Sequence, residues 1–549
     1  MRKYNKAISA VTAILVLAGI FTGCSNSKTD NSINEYYAQT TMAMEGEMTE
    51  ANIVPNSVDT DSADENSPYP QEVTPEDFNT EEYNSIQENG FKSVSENPLS
   101  TFSADVDTAS YSNLRRMITD GYGIDPNAIR IEEMINYFSY DYPEPKNGEP
   151  FSVTAEISDC PWNSESQLMM IGMKTKDIDL SSREPMNLVF LIDVSGSMYD
   201  ENKLPLVQKS FSMLVENLNE NDRISIVTYA GSDDVVLKGA TGAQSDKIIE
   251  AIESLTAGGS TAGADGIKTA YKIAEKYFIK GGNNRVILAT DGDLNVGVSS
   301  ESGLTKLIEE ERESGVFLSV LGFGTGNIKD NKMEALADNG NGNYSYIDSE
   351  IEAKKVLVEE MGGTLVTVAK DVKLQVEFNP ANVSIYRLIG YENRALADED
   401  FNDDTKDAGE IGAGHSVTVL YEIIPANSEY TPELKYTNSE ENTKDTSVAV
   451  SDYSDELFTV SVRYKEPDGS ESKLCTYPIT NSAYSKAMSK DFTFASCVAQ
   501  FGMVLRNSEY KGSATCESIL ETLGDYDFSD DDYKEEFIYL VNTMSKQGY

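Results

Sequence analysis

The segment Leu191–Met198, LIDVSGSM, joins an apolar run to three oxygen-bearing side chains at alternate positions. The residues before it, from Met186, have the length and composition of a buried strand. Asp193, Ser195 and Ser197 follow where this strand is expected to end. A helix cap would need one such residue, whereas three in close succession indicate a site that binds a ligand.

Strands and amphipathic helices alternate from residue 186 to residue 368. This order predicts an α/β fold with a doubly wound, mainly parallel sheet that is covered by helices on both faces. Ligands bind such sheets outside the carboxyl ends of the strands. Two further loops at that edge carry oxygen donors, Thr261 in a glycine-rich loop and Asp291 directly after a later strand. Asp293, close behind, is interpreted as a turn residue or, less favoured, as a neighbour of the site.

Two carboxylates and three hydroxyls form a set of hard oxygen donors. Such donors suit Mg²⁺ or Mn²⁺ and suit zinc poorly. Because magnesium keeps several of its waters, a site with few carboxylates leaves one coordination position for an incoming ligand. The sequence therefore predicts one Mg²⁺ (or Mn²⁺) as cofactor. A purely structural ion without a partner is an alternative.

The motif Asp-x-Ser-x-Ser, the threonine in a glycine-rich loop and the later Thr-Asp-Gly occur together within residues 186–368. This combination resembles the von Willebrand factor type A (vWA) domain. The resemblance implies a metal-ion-dependent adhesion site, in which the ion grips an acidic side chain of a protein partner. The coordinating residues that it implies are Asp193, Ser195, Ser197, Thr261 and Asp291.

Three segments outside this domain carry a second likeness. They read STFSADVDTASYSNLRR (100–116), EEMINYFSYDYPEP (132–145) and FTFASCVAQFGMVLRNSEYKG (492–512). They resemble a group of bacterial envelope proteins with a vWA domain, so that the likeness extends over residues 97–547. In the vWA family, ligand binding can couple to movement of the last helix of the domain. Here that helix is expected to end at Gly362-Gly363, which would serve as a hinge.

The remaining chain divides by its periodicity. A period of two over 369–478 predicts a β-sandwich, and helical periodicity predicts a helical region over 479–549. Residues 96–185 are predicted to hold helices together with strands of the same sandwich. The vWA domain would then be inserted in, or would adjoin, that sandwich.

The N-terminus predicts the location. Basic residues precede a short apolar run, as in a signal peptide over residues 1–23. The following Gly-Cys pair resembles a bacterial lipobox and implies lipidation of Cys24; an ordinary secretory signal with an incidental cysteine is the alternative. The acidic, polar stretch 24–95 is predicted to be a disordered tether. We expect an extracytoplasmic protein of the cell envelope, which is anchored to the membrane by lipid alone.

Composition excludes other partners and chemistries. The formal net charge of −48 over 549 residues argues against nucleic acid as a partner. The remaining cysteines have no zinc-ligand spacing, so small buried thiols are favoured over one disulfide: Cys160, Cys475, Cys497 and Cys516.

An enzyme is not predicted. His415 is the only histidine and lies in a glycine-rich turn, and the chain has no Gly-x-Ser-x-Gly elbow. The alternative function is a metal-dependent hydrolase of envelope or phosphoester substrates. It would need a general base beside the ion, and the motif loops show none.

Overall fold

In a computed structural model of the protein, residues 79–104, 106–146, 148–181, 183–259, 263–292, 301–428, 455–467 and 469–549 are described. The predicted signal peptide, the predicted lipidation site Cys24 and the predicted site residue Thr261 lie outside these ranges, as does Asp293. Among the described residues, no helix combines the length and the apolar character needed to cross a membrane.

The described elements are numbered in chain order. The strands are β1 (Lys92–Ser93), β2 (Leu99–Ser103), β3 (Phe151–Asp159), β4 (Gln167–Thr175), β5 (Met186–Asp193), β6 (Arg223–Tyr229), β7 (Asp233–Thr241), β8 (Asn283–Thr290), β9 (Phe317–Phe323), β10 (Tyr344–Ile347), β11 (Thr367–Phe378), β12 (Val383–Ile389), β13 (Gly409–Gly412), β14 (Ser416–Pro425), β15 (Glu456–Lys465) and β16 (Ser472–Thr480). The helices are α1 (Ala109–Asp120), α2 (Ile131–Asn136), α3 (Leu204–Glu216), α4 (Ser245–Glu253), α5 (Gly263–Lys276), α6 (Glu301–Arg312), α7 (Asp330–Asn339), α8 (Glu350–Lys354), α9 (Met361–Leu365), α10 (Lys490–Arg506), α11 (Cys516–Leu523) and α12 (Asp532–Gln547).

The apolar run that ends in Leu191, Ile192 and Asp193 forms β5, a strand whose eight residues are all buried. It lies inside a six-stranded sheet with the order β10-β9-β8-β5-β6-β7. Every neighbouring pair in this sheet is parallel except β6 with the edge strand β7. The mainly parallel sheet predicted from the alternating pattern is therefore confirmed.

Successive residues of β5 face two different cores, because side chains alternate along a strand. Phe190 belongs to the core beneath α3 and α4, where its ring stacks on Phe211 at 4.2 Å between centroids. Val189 and Leu191 belong to the core on the other face, beneath α5, α6 and α7. Helices thus cover both faces, and the doubly wound arrangement is confirmed.

A β-sandwich carries this α/β domain. One sheet has the order β1-β12-β14-β4-β3, and the other has β13-β11-β15-β16 with β2 paired to β11. Because β4 precedes the α/β domain in the chain and pairs with β14, which follows it, the domain is an insertion in the sandwich. Inward side chains of both sheets form one core, in which Phe378 stacks on Tyr386 at 4.3 Å.

The helices at the two ends of the described chain share a fourth core. The Phe138 ring, just after α2, meets Phe494 of α10 at 4.9 Å, and Phe494 meets Phe537 of α12 at 5.3 Å. Edge-to-face contacts of this kind are favourable beyond the area that they bury.

The predicted C-terminal boundary of the disordered tether, residues 24–95, was wrong. From residue 79 onward the chain lies against the folded part: Glu81 pairs with Arg116 at 3.0 Å, and β1 pairs with β12. Val94 is buried, and the Phe91 ring meets Tyr510 at 5.8 Å. The prediction rested on the acidic composition of this stretch and gave too little weight to the few apolar residues that pack against the folded part.

Two local predictions were also wrong. The α1 helix is preceded by Asp107, which accepts a hydrogen bond from Tyr344 N at 2.8 Å and pairs with Arg394, so a cap that this residue could have offered does not form. The last helix of the α/β domain does not end at Gly362-Gly363, because both glycines lie inside α9. The last helix of the α/β domain is not continuous, because a π-helical turn over residues 355–359 separates α8 from α9. The four described cysteines are free thiols; three are buried, as favoured from the sequence, and Cys475 is half-buried.

Candidate metal centre

The candidate site lies at the carboxyl ends of β5 and β8. Asp193 is the last residue of β5, and Asp291 directly follows β8. Since these neighbouring strands are parallel, both carboxylates emerge at the same edge of the sheet. Both side chains are fully buried.

The loop after β5 is organised around the Asp193 carboxylate. Ser195 N donates to Asp193 Oδ1 at 2.8 Å, and the hydroxyl oxygens of Ser195 and Ser197 lie 2.9 Å apart. Ser197 in turn hydrogen-bonds to Asp291. Direct contacts therefore link four of the five residues implied by the motif.

The fifth residue, Thr261, lies outside the described residues, but the loop that leads to it is described. Gly258 N donates to Val194 O at 2.7 Å, and Gly196 N donates to Gly259 O at 3.1 Å. These two backbone hydrogen bonds fasten the glycine loop to the serine loop. Gly259 has φ +91°, a conformation that an L side chain rarely adopts, so the close approach of the two loops requires glycine here.

A buried lysine faces Asp291. Lys203 Nζ donates to Asp291 Oδ2 at 3.0 Å and to Asn327 Oδ1 at 3.2 Å. Burial alone would raise the pKa of Asp291, but the Lys203 ammonium, with hydrogen bonds from Asn327, Lys203 and Ser197, holds it below its ordinary value. This carboxylate is therefore charged at neutral pH.

Asp193 has no such counter-charge. Burial raises its pKa to about 6, and repulsion from Asp291 adds to the increase, while hydrogen bonds from Ser195 oppose it. A positive charge between the two carboxylates would relieve both the desolvation and the repulsion.

The donor set fits a hard divalent cation. Asp193, Ser195, Ser197 and Asp291 offer oxygen only, and the Lys203 ammonium already shows that cationic charge is accommodated beside Asp291. Neither Lys203 nor Asn327 was predicted from the sequence to belong to the site. The signal available for Lys203 was a single basic residue just before an apolar helix, within an acidic loop.

Three family descriptions match successive parts of the chain. "von Willebrand factor" matches residues 77–170, "von Willebrand factor type A domain" matches residues 187–360, and "Uncharacterized protein YfbK, C-terminal" matches residues 363–546. The chain is 43% identical over 464 residues to the uncharacterized protein YfbK of Escherichia coli (strain K12). The aligned region covers 83% of this chain and 79% of that protein. The chain belongs to the YfbK family. Its inserted α/β domain is a vWA domain, as the sequence resemblance implied.

Two further similarities cover less of the chain. It is 31% identical over 197 residues to inter-alpha-trypsin inhibitor heavy chain H3 of Homo sapiens, covering 33% of this chain and 22% of that protein. A solved structure of a von Willebrand factor type A protein from Catenulispora acidiphila is 16% identical and covers 65% of this chain and 80% of that chain, with a TM-score of 0.39.

Proposed function

We propose that this member of the YfbK family is a lipid-anchored envelope protein that holds a protein partner through one Mg²⁺ or Mn²⁺ in its vWA domain. The ion would be bound by the set Asp193, Ser195, Ser197, Thr261 and Asp291. An acidic side chain of the partner would complete its coordination. The observation that carries the proposal is the chain of contacts that links Asp193, Ser195, Ser197 and Asp291 at one edge of the sheet.

The charges at this edge favour capture of a carboxylate. Two aspartates leave a divalent ion close to neutral, and Lys203 adds one positive charge in a buried setting. A partner carboxylate that enters therefore meets net positive charge at short range, with little water to screen it. Neutral side chains would gain much less, so the site would select acidic ones.

The test of partner binding uses the full chain on native envelopes, with crosslinking in Mg²⁺ or in chelator. We expect capture of a partner in Mg²⁺ only. Asp193→Ala should abolish capture because it removes a ligand, whereas Asp200→Ala, which removes an exposed carboxylate from the same loop, should not. Amidating the carboxylates of the envelope proteins beforehand should also abolish it. Equal capture of the partner by the two variants would contradict the proposal.

Turnover of a phosphoester by the purified chain, lost with chelator and lost with Asp193→Ala, would instead favour the metal-dependent hydrolase. That readout separates the two functions because a binding module holds its partner unchanged.

The anchor is tested separately. Cys24→Ala should move the chain from the membrane fraction to the soluble fraction, because lipidation at Cys24 is the only attachment that the proposal contains. Cys475→Ala, at a half-buried thiol of the sandwich, should leave it on the membrane. If the Cys24→Ala chain stayed in the membrane fraction, a different attachment would be required.

A further inference from the structure

A second group of acidic side chains lies where the sandwich meets the α/β domain. One carboxylate oxygen from each of Asp371, Asp407 and Glu410 lies within 4.8 Å of the others. Arg312, which ends α6, donates to Asp407. Because α6 leads into the amino end of β9, this group is at the edge of the parallel sheet opposite to the candidate metal centre.

Irregular backbone brings the three carboxylates together. The antiparallel pairing of β11 with β13 shifts register between Ala369 and Val372, which marks a bulge. Asp371 lies within this bulge and has φ 53°, a left-handed conformation that is uncommon for residues other than glycine. Bulges often re-aim a side chain, and strained residues of this kind occur frequently at ligand sites.

Glu410 contributes a buried carboxylate oxygen that has no hydrogen-bond partner in the described part of the chain. Its exposed fraction is 6%, and its Oε1 atom has no hydrogen-bond partner among the described residues. A buried carboxylate oxygen without a partner costs free energy, because it has lost its water and gained nothing in exchange. Burial, with Asp407 and Asp371 nearby, raises the pKa of Glu410 well above its ordinary value.

Two cations already pair with members of this group. Lys465 Nζ pairs with Asp371 Oδ2 at 2.7 Å, and Arg312 Nη1 pairs with Asp407 Oδ2 at 2.5 Å. The buried Arg285 guanidinium donates to Ser319 and Thr367. Within the described chain no ion pair includes Glu410, so of the three carboxylates it alone has no cation in direct contact.

We propose that Asp371, Asp407 and Glu410 bind one calcium ion at this junction. Calcium accepts six to eight oxygen ligands in irregular geometry, whereas magnesium demands a near-ideal octahedron and is rarely held by several protein carboxylates. Asp371 and Asp407 also line a groove of about 1530 Å³, which gives the ion a path from solvent. The inference is independent of the function proposed for the vWA domain.

The ion would stiffen the attachment of the inserted domain. Arg312 contacts Asp407 and also Asn339 and Asn341 of the α/β domain. Fixing Asp407 on calcium would therefore fix the position of Arg312. Because Arg312 and Lys465 already neutralise part of the charge, we expect a dissociation constant of about 10⁻⁴–10⁻³ M, the range of extracellular calcium modules.

The test is calorimetric titration of the full chain with CaCl₂ after chelation, in an Asp193→Ala background that disables the first site. We expect about one calcium per chain. Glu410→Gln, which keeps the shape and removes the charge, should weaken binding by about tenfold or more. Asp404→Asn, at an acidic residue of the same segment that pairs with Arg463, should leave the affinity unchanged.

Asp371→Asn provides a second variant if Glu410→Gln does not fold, with the same loss expected. No calcium uptake by the Asp193→Ala chain up to about 10 mM, ten times the weakest expected constant, would overturn the proposal. Equal affinities for the Glu410→Gln and parent chains would do the same. A higher melting temperature for Glu410→Gln without calcium binding by the parent would show that the buried carboxyl only destabilises the fold, and it would overturn the proposal too.

Discussion

Asp193 and Asp291 are chemically identical residues whose pKa values are shifted in opposite directions. Lys203 and its hydrogen-bonded neighbours keep Asp291 ionised, whereas burial and repulsion leave Asp193 with a pKa of about 6. Asp193 is therefore the ligand at which a proton would compete with the metal ion.

The first prediction concerns pH. A carboxylate must lose its proton before it binds a cation, so the Mg²⁺ affinity should fall as the pH drops through about 6. At pH 5 the apparent affinity should be about one tenth of its value at neutral pH, since each pH unit below the pKa removes a factor of ten. Titration with Mg²⁺ from pH 5 to pH 8 measures this. An affinity that is constant over that range would show that Asp193 does not ligate the ion.

The second prediction concerns Lys203. Replacing it with methionine leaves the buried Asp291 carboxylate without its ion pair, which should lower the free energy of unfolding by about 3 kcal/mol in chelator. Saturating Mg²⁺ should reduce that loss, because the ion supplies the missing charge. Chemical denaturation with and without Mg²⁺ tests both statements.

Lys209→Met is the matched control, because Lys209 is on α3 and its pair with Glu350 is exposed. It should cost less than about 1 kcal/mol in either buffer. If Lys203→Met lowered the free energy of unfolding equally in Mg²⁺ and in chelator, Lys203 would not interact with the bound ion.

Among the secondary-structure elements, those with a clear pattern of apolar residues were predicted from the sequence. The β5 and β8 strands are apolar runs bounded by polar residues, and they were recognised together with the carboxylates that end them. The helix α4 was missed because it is short and buries few side chains, among them Ile248 and Ile252. Contacts such as Lys203 with Asp291 join residues 88 positions apart and have no local signature.

The last helical segment of the vWA domain packs closely against β13, which the sequence did not reveal. Gly362 and Gly363 lie inside α9, and a Cβ on Gly412 would fall 1.9 Å from Gly363 O. The backbones of α9 and β13 therefore approach too closely for a side chain at Gly412. Action of Gly362 and Gly363 as a hinge stays a prediction.

The third prediction follows from this contact. Gly412→Ala should lower the free energy of unfolding by about 2 kcal/mol or more, because two backbones must separate to admit the methyl group. Gly123→Ala, at a position with no heavy atom within 4 Å of the added Cβ, is the control. Equal stability of the two variants, measured by denaturant titration, would mean that α9 and β13 do not pack in this way.

At the scale of the whole molecule, one arginine joins three parts of the chain. Arg115 of α1 pairs with Asp348 at 2.5 Å and with Glu352 of α8 at 2.7 Å in the α/β domain. It also pairs with Glu536 of α12 at 3.0 Å. The α8 segment, which belongs to the last helical part of the vWA domain, is thereby held against both ends of the described body.

The fourth prediction tests this connection. Arg115→Met should cost about 3–5 kcal/mol, because it leaves buried carboxylates without a counter-charge. Arg115→Lys should recover little of the loss, since one ammonium cannot reproduce a planar fork that reaches three carboxylates. Unfolding measurements on the two variants decide this. If Arg115→Lys were as stable as the wild type, a single ion pair would account for the contribution of Arg115.

We propose that residues from three loops of the vWA domain bind one divalent cation and leave it a free coordination position. Anomalous diffraction from crystals of the chain grown with Mn²⁺ would locate this ion. We expect one manganese peak about 2 Å from the hydroxyl oxygens of Ser195 and Ser197, close to Asp193, Thr261 and Asp291. Crystals that bind manganese elsewhere, with Lys203 still paired to Asp291 and no peak between the two serines, would contradict it.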